Sequence, residues 1–405
     1  MANTCNEIAR RLLDCCLRDE AWQPELLPAL VEDEALLRIV VEGMADRFEP
    51  RLCATYAGLF SEAIAQVDAR ANAAELVARY RRVAARRTPA PDDVERVFVL
   101  SRVTLGADVA VTSVLLDAAK RRYPEAEMCL VGGRKNWELF AADPRVRHVP
   151  LQYRQGPLRQ RLSIWDELRE LVTAPRSIVI DPDSRLTQSG LLPVCPEENY
   201  FFFESRGYGG EGDEPLPELA RRWAAEILGI ADGRPYVALR GVAEPGPRPV
   251  ISVSFGVGEN LAKRIGDPFE TELLRYLGGH GATIWIDIGA GGEEAERVRR
   301  AIQESGVAAR TWEGSFAGFA SIISRSDLYV GYDSAGQHVA AACGVPLVSV
   351  FAGFASPRMF ARWRPAGNVL RVDDPEPARV LPAAISAIEG ASERRGDTGG
   401  VDSAP

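Results

Sequence analysis

Residues 327–351 read DLYVGYDSAGQHVAAACGVPLVSVF. Five mostly apolar residues, 328–332, have the length and composition of a buried strand. The small, polar run Asp333, Ser334, Ala335 and Gly336 makes a turn, 335–343 is a helix of small residues, and 346–351 is a second apolar strand. Two strands joined through a helix must run parallel, so this one stretch predicts an open α/β sheet. The turn has a chemical consequence as well. The first N–H groups of a helix lack intrahelical partners and carry the positive end of its dipole, so a diphosphate fits there. Each such contact contributes roughly 0.3–1 kcal/mol when exposed and up to about 2 kcal/mol when partly buried.

Working outward, the same alternation continues. Strands are expected at 250–254 and 283–288 and helices at 268–277, 293–305 and 316–324. An equivalent series precedes it, with strands at 97–100, 128–131, 146–149, 177–180 and 200–203 and helices at 109–123, 137–142, 158–172 and 216–228. The Gly- and Pro-rich stretch 241–249 separates the two series. From the N-terminus to Arg87 the apolar residues recur every three or four positions, as in Ile8, Leu12, Cys15 and Cys16, which predicts helix throughout. Pro89 and Pro91 end that pattern. The expected organisation is an all-helical domain over 1–90, a Rossmann-like lobe over 94–235 and a second over 248–390. A disordered tail is expected over 391–405, where apolar residues nearly vanish. Strand ends of two such lobes should face one shared cleft.

Bulk properties narrow the function. A composition of 46% hydrophobic and 26% charged residues is that of a folded soluble protein. A net charge of −9 disfavours nucleic acid as a partner, since a phosphate backbone rewards clustered positive charge. The cysteines, Cys5, Cys15, Cys16, Cys53, Cys129, Cys195 and Cys343, show no Cys-x-x-Cys spacing, against a zinc site or disulfide framework. With charges scattered through the first twenty residues and no long apolar run, neither a signal peptide nor a membrane span is expected, and a cytoplasmic location follows as the expectation. Peripheral membrane association and oligomeric state stay open.

The Asp-Ser-x-x-x-His turn at 333–338, the small-residue helix and the Gly-Val-Pro strand together resemble glycosyltransferase family 9, the ADP-heptose:lipopolysaccharide heptosyltransferases, over about 97–371. The resemblance implies a two-lobed GT-B fold and transfer of a heptose-type sugar from a nucleotide diphosphate to an acceptor hydroxyl, with inversion and without a metal or cofactor. It implies that Asp333, Ser334, Ala335, Gly336 and His338 bind the donor. Lys263, in a Lys-Arg element, would offset phosphate charge. Glu293 and Glu296, after the loop at 289–292, are candidates for the ribose hydroxyls. Where the family has Gly-Asp after its first strand, this chain has Gly106-Ala107-Asp108, and the resemblance gives Asp108 the role of base. A sugar hydroxyl is a poor nucleophile, and a carboxylate in hydrogen-bond reach contributes typically about 10²–10⁴-fold.

Arg154, Arg159 and Arg161 lie where the family meets its acceptor and could bind an anionic group; a solvated helix face is the competing reading. Asp181-Pro-Asp183 has the Asp-x-Asp spacing of metal-dependent transferases, but a proline turn accounts for it and no metal is expected. The acceptor is open between a glycan, a small molecule and a polypeptide. Two rival functions remain: a nucleotide-sugar-binding scaffold in which the helical front engages a partner, and a nucleotide-sugar epimerase acting on the donor alone.

Overall fold

The computed structural model describes residues 2–241, 244–258, 260–289 and 291–398. The first sheet is built from β1 (Arg96–Leu100), β2 (Glu127–Gly132), β3 (Val146–Pro150), β4 (Ser177–Asp181) and β5 (Tyr200–Phe202). All pairings are parallel, in the order β3-β2-β1-β4-β5. Residues 97–100 and all of β4 are buried, as strands covered on both faces must be, and the apolar runs at 97–100 and 178–180 follow from that. Between β1 and β4 the strand order reverses, so the loops after these two strands part to opposite sides and leave a crevice.

The N-terminal helices do not stand apart from this sheet. Helices Ala2–Leu17, Pro50–Val67 and Ala73–Ala85 share one apolar core with it. Leu12, Leu36, Phe60 and Ile64 are buried in the same cluster as Leu100, Val179 and Phe202. Each such side chain contributes about 1.5–3 kcal/mol on leaving water. Polar ties add direction: Arg79 donates to Gly190 O at 2.7 Å while its guanidinium lies over the Tyr200 ring, and Tyr56 Oη donates to Gln188 O at 2.8 Å. Even the proline-rich connection is pinned, with Ala90 N donating to Ile227 O at 2.8 Å. Where a separate domain over 1–90 was expected, the structure has one compact unit comprising residues 1–137, 143–235 and 355–363.

The second unit comprises 138–142, 236–354 and 364–405. Its sheet contains β6 (Val250–Ser254), β7 (Thr283–Asp287), β8 (Ala309–Trp312), β9 (Leu328–Tyr332), β10 (Leu347–Phe351) and β11 (Asn368–Arg371). These are parallel in the order β11-β10-β9-β6-β7-β8, and the order reverses between β9 and β6. The stretch expected as a tail from 391 begins inside the helix Pro377–Thr398; residues 399–405 lie outside the described residues. No described helix is long and apolar enough to cross a membrane.

Candidate active site

In the second unit the reversal point brings together the loop after β6 and the turn after β9. Lys263 closes a short turn, Leu261–Lys263, which the Asn260 side chain caps by accepting from Ala262 N at 3.1 Å. Its ammonium reaches Asp333 Oδ2 at 2.6 Å and the Asp333 carbonyl at 3.4 Å. The other Asp333 oxygen accepts from Gln337 Nε2, and Gln337 Oε1 in turn accepts from Ser349 Oγ at 2.6 Å. Lys263, 20% exposed at its side chain, is therefore held at the start of the helix Ala335–Ala342. Ser334 sits at the helix cap with extended backbone and makes no capping bond of its own; its hydroxyl lies 3.4 Å from Tyr329 Oη. Gly353 makes the Lys263 turn feasible: at φ +65° a Cβ there would lie 2.5 Å from the Ala262 carbonyl carbon.

His338 is buried, and burial pulls its imidazole down to about 4, a shift that Asp333 opposes and Lys263 reinforces. It is neutral at pH 7. Because the unfolded chain takes up a proton near 6.5 and the folded one only near 4, the folded state loses stability as pH falls through that window. The loss reaches about 3 kcal/mol. Chemical denaturation at pH 7 and pH 4.5 should show His338→Gln losing less stability on acidification than the unsubstituted protein; equal losses would remove His338 from the account.

The acids after β7 are placed differently from the sequence expectation. Glu293 and Glu296 are exposed, whereas Glu294 is half-buried and its Oε2 accepts from Val257 N at 3.0 Å. Glu294 is the third residue of the helix Gly292–Ser305, from which a side chain reaches back past the helix start. A helix taken to begin at Glu293, one residue late, hides this role of Glu294. Asp287, at the end of β7, has its carboxyl raised by burial.

In the first unit, Asp108 is fully buried. Its Oδ1 accepts from Arg102 N at 2.7 Å and Thr112 Oγ1 at 2.7 Å, and its Oδ2 from Ser101 Oγ at 2.6 Å and Asn136 Nδ2 at 2.6 Å. Burial raises the carboxyl and these four donors oppose the rise. The expectation of a carboxylate open to an acceptor is thus met by one enclosed in donors. The helix widens into a π-turn over Asp108–Thr112, a geometry that takes up one extra residue, and Ala107 is the extra residue in this loop.

Beside it lies a cavity of about 160 Å³. Arg102, Ala107, Asp183 and Arg206 line it from the sheet, Tyr56 from the helical segment and Trp363 from the returning stretch 355–363. Asp183 is buried with a left-handed φ of +69°. Its Oδ2 accepts from Ser205 Oγ at 2.6 Å, and Arg206 Nη1 lies 3.4 Å from Oδ1, which receives no hydrogen bond. Its neighbour Asp181 is satisfied by Ser184 N at 2.6 Å and by the Thr187 and Tyr200 hydroxyls, and burial pushes its carboxyl up to about 6. Among the described residues no group of three or more His, Cys, Asp or Glu could hold a metal ion. Of the candidate acceptor arginines, Arg161 lines the cavity and donates to Gly156 O at 2.7 Å. Arg159 instead pairs with Glu32 at 2.8 Å, and Arg154 is exposed.

Residues 266–381 match the model of glycosyltransferase family 9 (heptosyltransferase). No curated protein sequence matches the chain. Among solved structures, an E. coli heptosyltransferase, WaaC with ADP, superposes with a TM-score of 0.56 at 18% identity, covering 73% of this chain and 99% of that one. A family 9 glycosyltransferase from Veillonella parvula gives 0.54 at 14% identity, covering 74% and 99%. The E. coli ADP-heptose lps heptosyltransferase II gives 0.51 at 18%, covering 73% and 99%. About a quarter of this chain falls outside each superposition. Over residues 266–381 the chain is thus similar in sequence to glycosyltransferase family 9, and its fold is like that of these heptosyltransferase structures.

Proposed function

We propose that the protein transfers a sugar of the heptose type from a nucleoside diphosphate to an acceptor hydroxyl, by a single inverting displacement that needs no metal. The observation that carries this is the Lys263–Asp333 pair at the start of the helix Ala335–Ala342, at the sheet's reversal point. The turn after β9 lies in the region that matches the family model. Departure of the diphosphate leaves negative charge on its oxygens. An ammonium and a row of helix N–H groups fixed in advance stabilise that charge without having to reorganise, and this is the role a divalent cation fills in other transferases. The related structures described with ADP and with an ADP-heptose analogue support an adenine nucleotide as the donor's carrier. In the first unit, the cavity beside β1 and β4 is the place offered to the acceptor.

The test is direct. Full-length protein incubated with ADP-heptose should bind it and release ADP, at the same rate in EDTA as in magnesium, and NMR of the product should show inversion at the anomeric carbon. A protein that binds ADP-heptose but releases no ADP with any acceptor offered would be a scaffold instead. Interconversion of the free donor to an epimer would make it an isomerase.

A further inference from the structure

Given the transferase reading above, on which this rests, we infer that Asp183, not Asp108, is the carboxylate that takes the proton from the acceptor hydroxyl in the cavity of the first unit. Asp108 has no oxygen to offer, since each already accepts two short hydrogen bonds. The residue that lines the cavity after Gly106 is Ala107, which has no acid. One step along a helix turns a side chain by about 100°, so the added residue leaves a methyl where a carboxylate would have pointed.

Asp183 stands across the same crevice. It follows β4, the neighbour of β1 at the point where strand order reverses, and it lines the cavity with Ala107. Two separate costs fall on this one residue. A buried oxygen without a hydrogen bond is destabilising, and so is a left-handed backbone at a residue other than glycine. Proteins retain such costs where a side chain has work to do. Arg206 lies 3.4 Å from Oδ1 and Arg102 3.8 Å from Oδ2, so two guanidinium groups flank the carboxylate on the cavity side of the sheet. In the step, the acceptor O–H proton passes to Asp183 Oδ1 and the oxygen lone pair forms the bond to the anomeric carbon. The bond from that carbon to the phosphate oxygen breaks, its electron pair leaving on the nucleoside diphosphate.

The test uses full-length protein, ADP-heptose, and water as the acceptor. Asp183→Asn should lower the rate of ADP release by about 10²–10⁴-fold with KM for the donor unchanged. Asp183→Ala should be equally slow in water but revive in azide, an anion that attacks without giving up a proton, with the glycosyl azide as product. A merely structural aspartate would not respond to azide. The inference is overturned if Asp183→Asn stays within about threefold of the parent, or if azide leaves Asp183→Ala inert while ADP still binds it normally. An unsubstituted protein that neither binds ADP nor consumes ADP-heptose would sink the transferase reading and this inference together, and ADP calorimetry tells that case from the others.

Discussion

Lys263→Ala should slow ADP release from ADP-heptose by about 10²–10³-fold, the loss typical when one fixed donor to a developing negative charge is removed. The ammonium is already seated at the helix start by Asp333, 2.6 Å away, so no part of the site must move to bring it there. Its loss should fall on kcat more than on donor binding, because the charge it meets grows as the sugar–phosphate bond breaks. Lys263→Arg should recover only part of the rate: a planar fork does not replace a compact point charge on a turn this tight. Steady-state ADP release decides the matter, and a Lys263→Ala rate within threefold of the parent would show that the departing diphosphate is met elsewhere. Gly353→Ala should resemble it in kinetics, since a methyl at 353 collides with the backbone at Ala262 and Lys263.

The largest effect on stability is expected from Asp108→Ala. Four donors, the Ser101 and Thr112 hydroxyls, the Arg102 amide and the Asn136 side chain, would lose their acceptor inside the protein at once. Each stranded donor costs about 1–3 kcal/mol and the terms do not simply add, so a total of about 3 kcal/mol or more is expected. For a unit of this size that lowers Tm by roughly 6–12 °C. Calorimetry of the melting transition would measure it. An Asp108→Ala protein that melts with the parent would mean that the carboxylate does not hold the loop after β1.

The central strands were legible because they are covered on both faces. The stretches 250–254 and 328–332 are mostly apolar, free of charge and of strand length, and β6 and β9 lie there. β8 and β11 escaped notice for the converse reason. Both sit at sheet edges and are half-exposed, so their residues carry neither an apolar run nor a clean alternation. The expected single helix at 158–172 is two, Leu158–Leu162 and Trp165–Leu171, with no proline or glycine to mark the break.

The N-terminal helices show a different limit. Their periodicity reveals an apolar stripe but not what covers it, and the prolines at 89 and 91 suggested an independent body where Leu12, Phe60 and Ile64 in fact join the core of the sheet. At the site, the pattern around Asp333 and Lys263 singled out two loops that the structure brings into contact, because small residues, a helix start and a lysine carry their chemistry in their identity. Asp108 and Asp183 could not be ranked in that way. Both are buried, and which of the two keeps an oxygen without a hydrogen bond depends on helix phase and on the handedness of a turn after Pro182, quantities that spacing alone does not encode.

The return of residues 355–363 to the first unit, between stretches that belong to the second, bears on how the chain can be taken apart. Trp363 borders the cavity of the first unit although it is encoded downstream of nearly all of the second unit's sheet. A chimaera spliced at a single junction near residue 240 would therefore import a foreign tryptophan segment along with its new second unit. Exchanging 236–354 and 364–405 alone calls for three crossover points, with 355–363 staying alongside the helical front that it touches through Arg358 and Phe48.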